Sequence, residues 1–178
     1  VPIVIDSTDE RVMEEALKFC QGKAIINSIN LEDGEERFDA VMPLVKKYGA
    51  AVVVGTIDET GMAITRERKL EVAKRSYQLL TEKWGIAPED IIFDPLMFPV
   101  GTGDEQYIGA AEETIEGIRL IKQELPGVLT VLGVSNISFG LPPVGREVLN
   151  AVYLYHCTQA GLDYAIVNTE KLERYASI

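Results

Sequence analysis

The chain has 178 residues, 47% of them hydrophobic and 25% charged, with a formal net charge of −11. That length supports one globular domain with a real core. The acidic balance argues against sequence-independent binding to nucleic acid and against docking on an anionic membrane. No apolar run approaches the roughly 20 residues that span a bilayer. Cys20 and Cys157 lie far apart in helical patterns. Reduced thiols are therefore expected rather than a disulfide framework or a zinc site. No signal peptide is visible, and a cytoplasmic protein is expected.

Strands alternate with amphipathic helices along the whole chain. Val1 to Ile5 opens directly in a strand, which suggests a piece of something longer. Ser7-Thr8-Asp9 offers N-caps for a helix over roughly 9–20, with Val12, Met13, Ala16, Leu17 and Cys20 on one stripe. A strand over 24–28 follows. Phe38, Val41, Met42, Leu44 and Val45 mark a helix that ends at Gly49. Ala50 to Thr56 is another apolar strand. Asp58-Glu59 after it is either a mouth-lining pair or a solvated turn. The helix over 66–84 carries Arg66, Glu67, Arg68, Lys69, Glu71, Lys74 and Arg75, which read most simply as a solvated face. Strand 91–94, helix 109–124, strand 129–135, helix 144–160 and strand 164–168 complete the pattern, before a short polar helical tail. His156, the sole histidine, falls mid-helix and reads as structural.

About six β/α units arise, with no linker or composition shift, so residues 1–178 are expected to form a single domain. Six units do not close an eight-stranded barrel. The abrupt start favours a barrel lacking its first two units over an open, doubly wound sheet.

Five of the apolar runs end in a polar residue: Asp6, Asn27, Asp94, Asn136 and Asn168. In a parallel β/α array the strands' C-terminal ends meet at one face, where ligands bind. These carboxylates and carboxamides suit the hydrogen-bonding edge of a polar heterocycle better than a metal. Each has a bland alternative. Asp6 is a ligand or the cap of the next helix; Asn27 is a ligand or a turn former. Asp94 precedes Pro95, which pushes it to an extended conformation and aims its carboxylate off the strand tip. Ser135 and Asn136 interrupt an apolar strand between Gly133 and Gly140, where glycine permits close backbone approach. Arg146 near a helix start opposes the dipole, which suits either a carboxylate ligand or an exposed surface arginine.

Ile5-Asp6-Ser7, Ile26-Asn27-Ser28-Ile29, Ile91-Ile92-Phe93-Asp94-Pro95 and Gly133-Val134-Ser135-Asn136-Ile137-Ser138-Phe139, in this order, resemble the pterin-binding family. That family includes dihydropteroate synthases and methyltetrahydrofolate methyltransferases. The likeness is greatest to the folate-binding domains of cobalamin-dependent methionine synthases. It extends over Tyr48-Gly49-Ala50, Ile57-Asp58-Glu59-Thr60-Gly61, Arg146-Glu147-Val148 and Ala160-Gly161-Leu162-Asp163.

The resemblance implies a (β/α)8 TIM barrel of which the third to eighth strands are present. It implies that Asp6, Asn27, Asp94 and Asn136 bind the pterin, with Asn168 at the eighth strand tip and Arg146 near the substrate's tail or the pterin rim. Asn136 takes the catalytic part, its hydrogen bonding changing as the methyl-bearing nitrogen gains a proton. The implied reaction moves the methyl of 5-methyltetrahydrofolate to cob(I)alamin held by a corrinoid-binding domain, on the way to methionine from homocysteine. An amine leaves poorly, so the nitrogen must be protonated or strongly hydrogen-bonded as its bond to carbon breaks. The nucleophile belongs to the cofactor. No metal is expected in this chain, and a homodimer is left open. A dihydropteroate synthase-like enzyme and a non-catalytic folate-binding module are the alternatives. Some relatives carry asparagine after Asp-Pro, where this chain has Leu96.

Overall fold

The computed structural model describes residues 1–172 and Tyr175. β1 (Val4–Asp6) leads to α1 (Glu10–Leu17), which starts where Asp9 accepts the backbone N–H of Arg11 and buries Met13 and Leu17. β2 (Ile25–Leu31) is followed by α2 (Glu36–Tyr48), closed by Gly49 in the left-handed conformation, φ 63°. β3 (Ala51–Asp58) folds back on the two-residue β4 (Gly61–Met62) in a short antiparallel hairpin. Thr65 caps α3 (Arg66–Gln78), whose last part continues as a π-turn over Leu79–Lys83. β5 (Ile91–Asp94), α4 (Ala110–Glu124), β6 (Leu129–Gly133), α5 (Pro143–Ala160) and β7 (Tyr164–Ile166) complete the described part.

The strand order β1-β2-β3-β5-β6-β7 follows the chain, and every neighbouring pair on this path is parallel. Among the described residues β1 and β7 each pair on one side only. The outer sheet face carries the main core: Ile5, Ile26, Val52, Val54, Ile91 and Phe93 pack with Met13, Phe38, Val41, Met42 and Val45 from the helices. A second core joins Leu132, Val134 and Ile137 to Tyr153 and Cys157 of α5.

The inner face is apolar too. Ala51, Val53, Ile92 and Val131 cluster there with Ile25 and Leu129. A cavity of about 140 Å³ is lined from all six strands of the path, by residues that include Val4, Asn27, Ile92, Val131 and Ile166. The sheet is thus rolled into a partial barrel, as expected, with its hollow side toward that cavity.

Three expectations are corrected. The strand over 129–135 stops at Gly133, and Val134–Ser138 form a 3-10 turn, so Asn136 stands on a turn and not on the strand. The last strand ends at Ile166, leaving Asn168 two residues beyond it. Lys69 is not solvated: it is completely buried, on the inward stripe of α3 with Val72, Ala73 and Ser76. The polar tail expected after residue 168 runs into residues outside those described.

Candidate functional site

Parallel strands deliver their C-terminal ends to one rim, and side chains two residues apart share a face. Val4, Ile25 and Ile92 all belong to the inner layer. Two residues further on stand Asp6, Asn27 and Asp94, so these three polar side chains face the hollow side at its mouth. Asp6 and Asn27 are register partners, and the Ser7 N–H donates to the Asn27 carbonyl at 3.2 Å. The Asn27–Ser28 peptide is cis, and β2 is irregular between Ile26 and Ile29. Asp94 pairs with Gly55. Gly55 lies two residues after Val53 and adds no side chain of its own between the carboxamide and the carboxylate, where Ile57 and Asn30 border it: a Cβ there would stand 3.7 Å from Ile57 Cδ1 and 3.8 Å from Asn30 Cβ. The sign of it in the sequence is the lone glycine in Val52-Val53-Val54-Gly55-Thr56, since a glycine inside a strand marks a close backbone approach.

Asp94 has the most constrained carboxylate of the set. Its Oδ1 accepts the Leu96 N–H at 2.9 Å, which leaves Oδ2 for another donor. Burial pushes its pKa up to about 6, against the pull of that N–H and of the Lys69 ammonium. Leu96 itself is held at φ 63°, where Asn and Gly are the usual occupants. Asp6 is exposed and Asn27 half-buried.

Beyond the end of β6, the neighbour of β5, Asn136 is exposed on its 3-10 turn. Its Nδ2 lies so near Gly133 that a Cβ there would stand 3.2 Å away. Arg146, from the first turns of α5, donates through Nε to Ser138 Oγ at 3.1 Å and through Nη2 to the Ser135 carbonyl at 3.3 Å. The arginine therefore clamps the turn that presents Asn136. Arg146 and Asn168 meet in a mouth pocket of about 310 Å³, with Ser135, Glu147, Asn150 and Lys171 in its wall. Asn168 Oδ1 accepts the Glu170 N–H.

Asp58 does not line the mouth freely. It is buried, accepts the Thr60 N–H at 3.0 Å and the Thr60 hydroxyl at 2.8 Å, and pairs with Arg68. His156 is exposed on α5, edge-on to Tyr155. Cys157 is buried and its thiol is pushed up to about 12 by desolvation, while Cys20 is half-buried; both are free. Among the described residues no group of His, Cys, Asp and Glu is arranged to hold a metal ion, and no helix is long and apolar enough to cross a membrane.

The sequence profile of the pterin binding enzyme family matches residues 1–168. The chain belongs to the pterin binding enzyme family. Two relatives, the methionine synthases of Mycobacterium tuberculosis and Mycobacterium leprae, are each 47% identical over 175 residues, or 97% of this chain. The chain spans only 15% and 14% of their respective lengths. The backbone is similar to two solved dihydropteroate synthases. That of Thermus thermophilus gives a TM-score of 0.59 at 19% identity, over 96% of this chain and 66% of the other. That of Yersinia pestis gives 0.61 at 14% identity, over 96% and 67%. At those identities the likeness establishes the fold and leaves the reaction open.

Proposed function

We propose that this chain binds the pterin ring of 5-methyltetrahydrofolate at the strand-end rim and supports transfer of its methyl group to cob(I)alamin presented by another domain, as a step of methionine synthesis. The observation that carries this reading is the common inward face of Asp6, Asn27 and Asp94, with the Asn136 turn at the end of β6 beside Asp94's strand, in a chain 47% identical to methionine synthases. The two carboxylates and the Asn27 amide complement a ring edge that displays N–H and carbonyl groups. Gly55 lets the ring approach the backbone between them, with Ile57 and Asn30 at the edge of that position. Asn136 presents an amide to the nitrogen that loses the methyl group and stabilises it as it gains a proton. Arg146, through the turn, fixes where that amide stands; Asn168 and the mouth pocket suit the polar tail of the substrate.

The mouth pocket, about 310 Å³, lies at the small end of ligand sites and has no room for a corrin macrocycle. The methyl acceptor is read as the cargo of another domain or protein, since this chain spans only 14–15% of the length of the methionine synthases it resembles. Residues 1–178 are read as part of one pterin-binding barrel domain in a cytoplasmic protein. A dihydropteroate synthase reaction is disfavoured because its examples resemble this chain in backbone alone, at 14–19% identity.

The test uses the full-length protein. Asn136→Ala is expected to slow methyl transfer from methyltetrahydrofolate to cob(I)alamin by at least about tenfold, the scale of one lost transition-state hydrogen bond. Unchanged turnover refutes the role. Folate binding with no methyl loss would make the chain a binding module, and pyrophosphate release from a pterin pyrophosphate would make it a synthase.

A further inference from the structure

Lys69 is a completely buried lysine with no carboxylate within ion-pairing distance among the described residues. Lysine is almost never fully buried unless its charge is paired. Here its three N–H donors are taken instead by main-chain carbonyls: Ala63 at 2.9 Å, Pro95 at 2.6 Å and Leu96 at 3.4 Å. Nζ also lies 5.1 Å from the centre of the Phe98 ring, in reach of its π face. The Leu96 carbonyl receives a further bond, from Thr114 Oγ1 at 2.9 Å. Two of the three carbonyls therefore belong to the two residues that follow Asp94, and one of those, Leu96, sits in left-handed backbone. The same Leu96 donates its N–H to Asp94 Oδ1. A chain of contacts thus runs from the ammonium through the Pro95-Leu96 backbone to the carboxylate. Gly117 in α4 makes room for the lysine stem: a Cβ there would stand 2.8 Å from its Cδ.

We infer that Lys69 is a positioning residue of the binding rim: its buried ammonium ties down the Pro95-Leu96 turn, so sets the direction of the Asp94 carboxylate, and favours its charged form. The inference rests on the pterin reading for its ligand but not for its geometry. Among the described residues the charged groups that bear on Lys69 are Asp94 from β5 and Glu113 from α4, the latter already bonded to Arg66, and Lys69 is the one charged group that bears on Asp94. Burial lowers the lysine's pKa to about 8, so it still carries its proton at neutral pH, where Asp94 is ionised. A purely structural lysine would steady the fold without touching that ionisation.

The experiment uses Lys69→Met in the full-length protein, which keeps most of the stem and removes the charge. Methyltetrahydrofolate binding is measured from pH 5 to 9. The unaltered protein is expected to bind more tightly as pH rises through Asp94's ionisation. In Lys69→Met that inflection moves up by on the order of one pH unit, the effect of losing a nearby opposite charge. The dissociation constant at the original inflection then rises about fivefold, and by less as pH climbs above it. In an Asp94→Asn background the lysine substitution shifts no inflection. An unmoved inflection in Lys69→Met, with or without a loss of thermal stability, overturns the inference. If Lys69→Met fails to fold, Gly117→Ala displaces the same stem, and an unmoved inflection there overturns it equally. A second readout needs no ligand: amide hydrogen exchange over residues 94–98 speeds by at least about tenfold in either variant, and unchanged exchange overturns the tether. Failure of the unaltered protein to bind methyltetrahydrofolate would count against the pterin reading, while the exchange measurement still decides the role of Lys69.

Discussion

Gly133→Ala tests whether the place of the Asn136 amide matters for catalysis. Gly133 has φ −76°, which alanine adopts without strain, so the backbone tolerates the change. The added methyl would stand 3.2 Å from Asn136 Nδ2, closer than ordinary packing allows. Restoring van der Waals contact requires a displacement of about 0.2–0.4 Å. A misplacement of about 1 Å at a reacting centre costs roughly a hundredfold. Scaled logarithmically, 0.2–0.4 Å corresponds to a loss of about 2.5- to 6-fold in the rate of methyl transfer. The assay is single-turnover transfer from methyltetrahydrofolate to cob(I)alamin in the full-length protein, with the folate dissociation constant measured alongside. The loss is expected in the rate, with binding changed less. In the Asn136→Ala background the same glycine substitution is expected to cost nothing further, because the amide it displaces is gone. Unchanged turnover in Gly133→Ala, or an equal loss in both backgrounds, would refute the reasoning.

Asp94→Asn is expected to weaken methyltetrahydrofolate binding by roughly 1–3 kcal/mol, the scale of a charge-assisted hydrogen bond, and calorimetric titration measures it. The raised pKa of about 6 means the free carboxyl takes up a proton as pH falls through that value. Binding by the ionised group should therefore decline below it, and this dependence should vanish in Asp94→Asn. The helix glycines Gly117 and Gly145 should respond to alanine with opposite signs. In α5 the nearest atom to a Cβ at Gly145 is Leu141 Cβ at 4.0 Å, so alanine should stabilise by up to about 1 kcal/mol. Gly117→Ala meets Lys69 Cδ at 2.8 Å, and an overpacking cost of about 1–3 kcal/mol outweighs that gain. Hydrogen exchange of the two helices in the full-length protein reads both, and equal protection gains would contradict the packing argument.

The alternation of strands and helices was legible because each strand is an unbroken apolar run and each helix carries an apolar stripe. Strand 91–94 was placed without error, and Gly49 and Gly161 marked two helix ends. The polar ends of the runs also pointed to the rim, because side-chain alternation carries over from Ile92 to Asp94 and from Ile25 to Asn27. What the sequence concealed was the part set by tertiary contact. Lys69 looked like one charge among many on α3, yet residues 69, 72, 73 and 76 follow the spacing of a buried stripe. The seven charged residues from Arg66 to Arg75 wrap around the helix and cannot share one solvated face. Gly117 opposite was the complementary sign, a glycine where helix propensity alone would ask for something else. The break at Gly133 was hidden because Val134 and Ile137 are as apolar as the strand before them; only the structure shows them feeding the core beneath α5.

The one-sided pairing of β1 and β7 has a practical consequence. Val4, Tyr164 and Ile166 are 50%, 46% and 52% exposed, on edge strands whose outer main-chain donors and acceptors have no strand partner among the described residues. Expressed in isolation, such a piece is a template for sticking to copies of itself, so inclusion bodies or soluble oligomers would be the natural outcome. An inactive preparation of that kind would report on clumping rather than on chemistry.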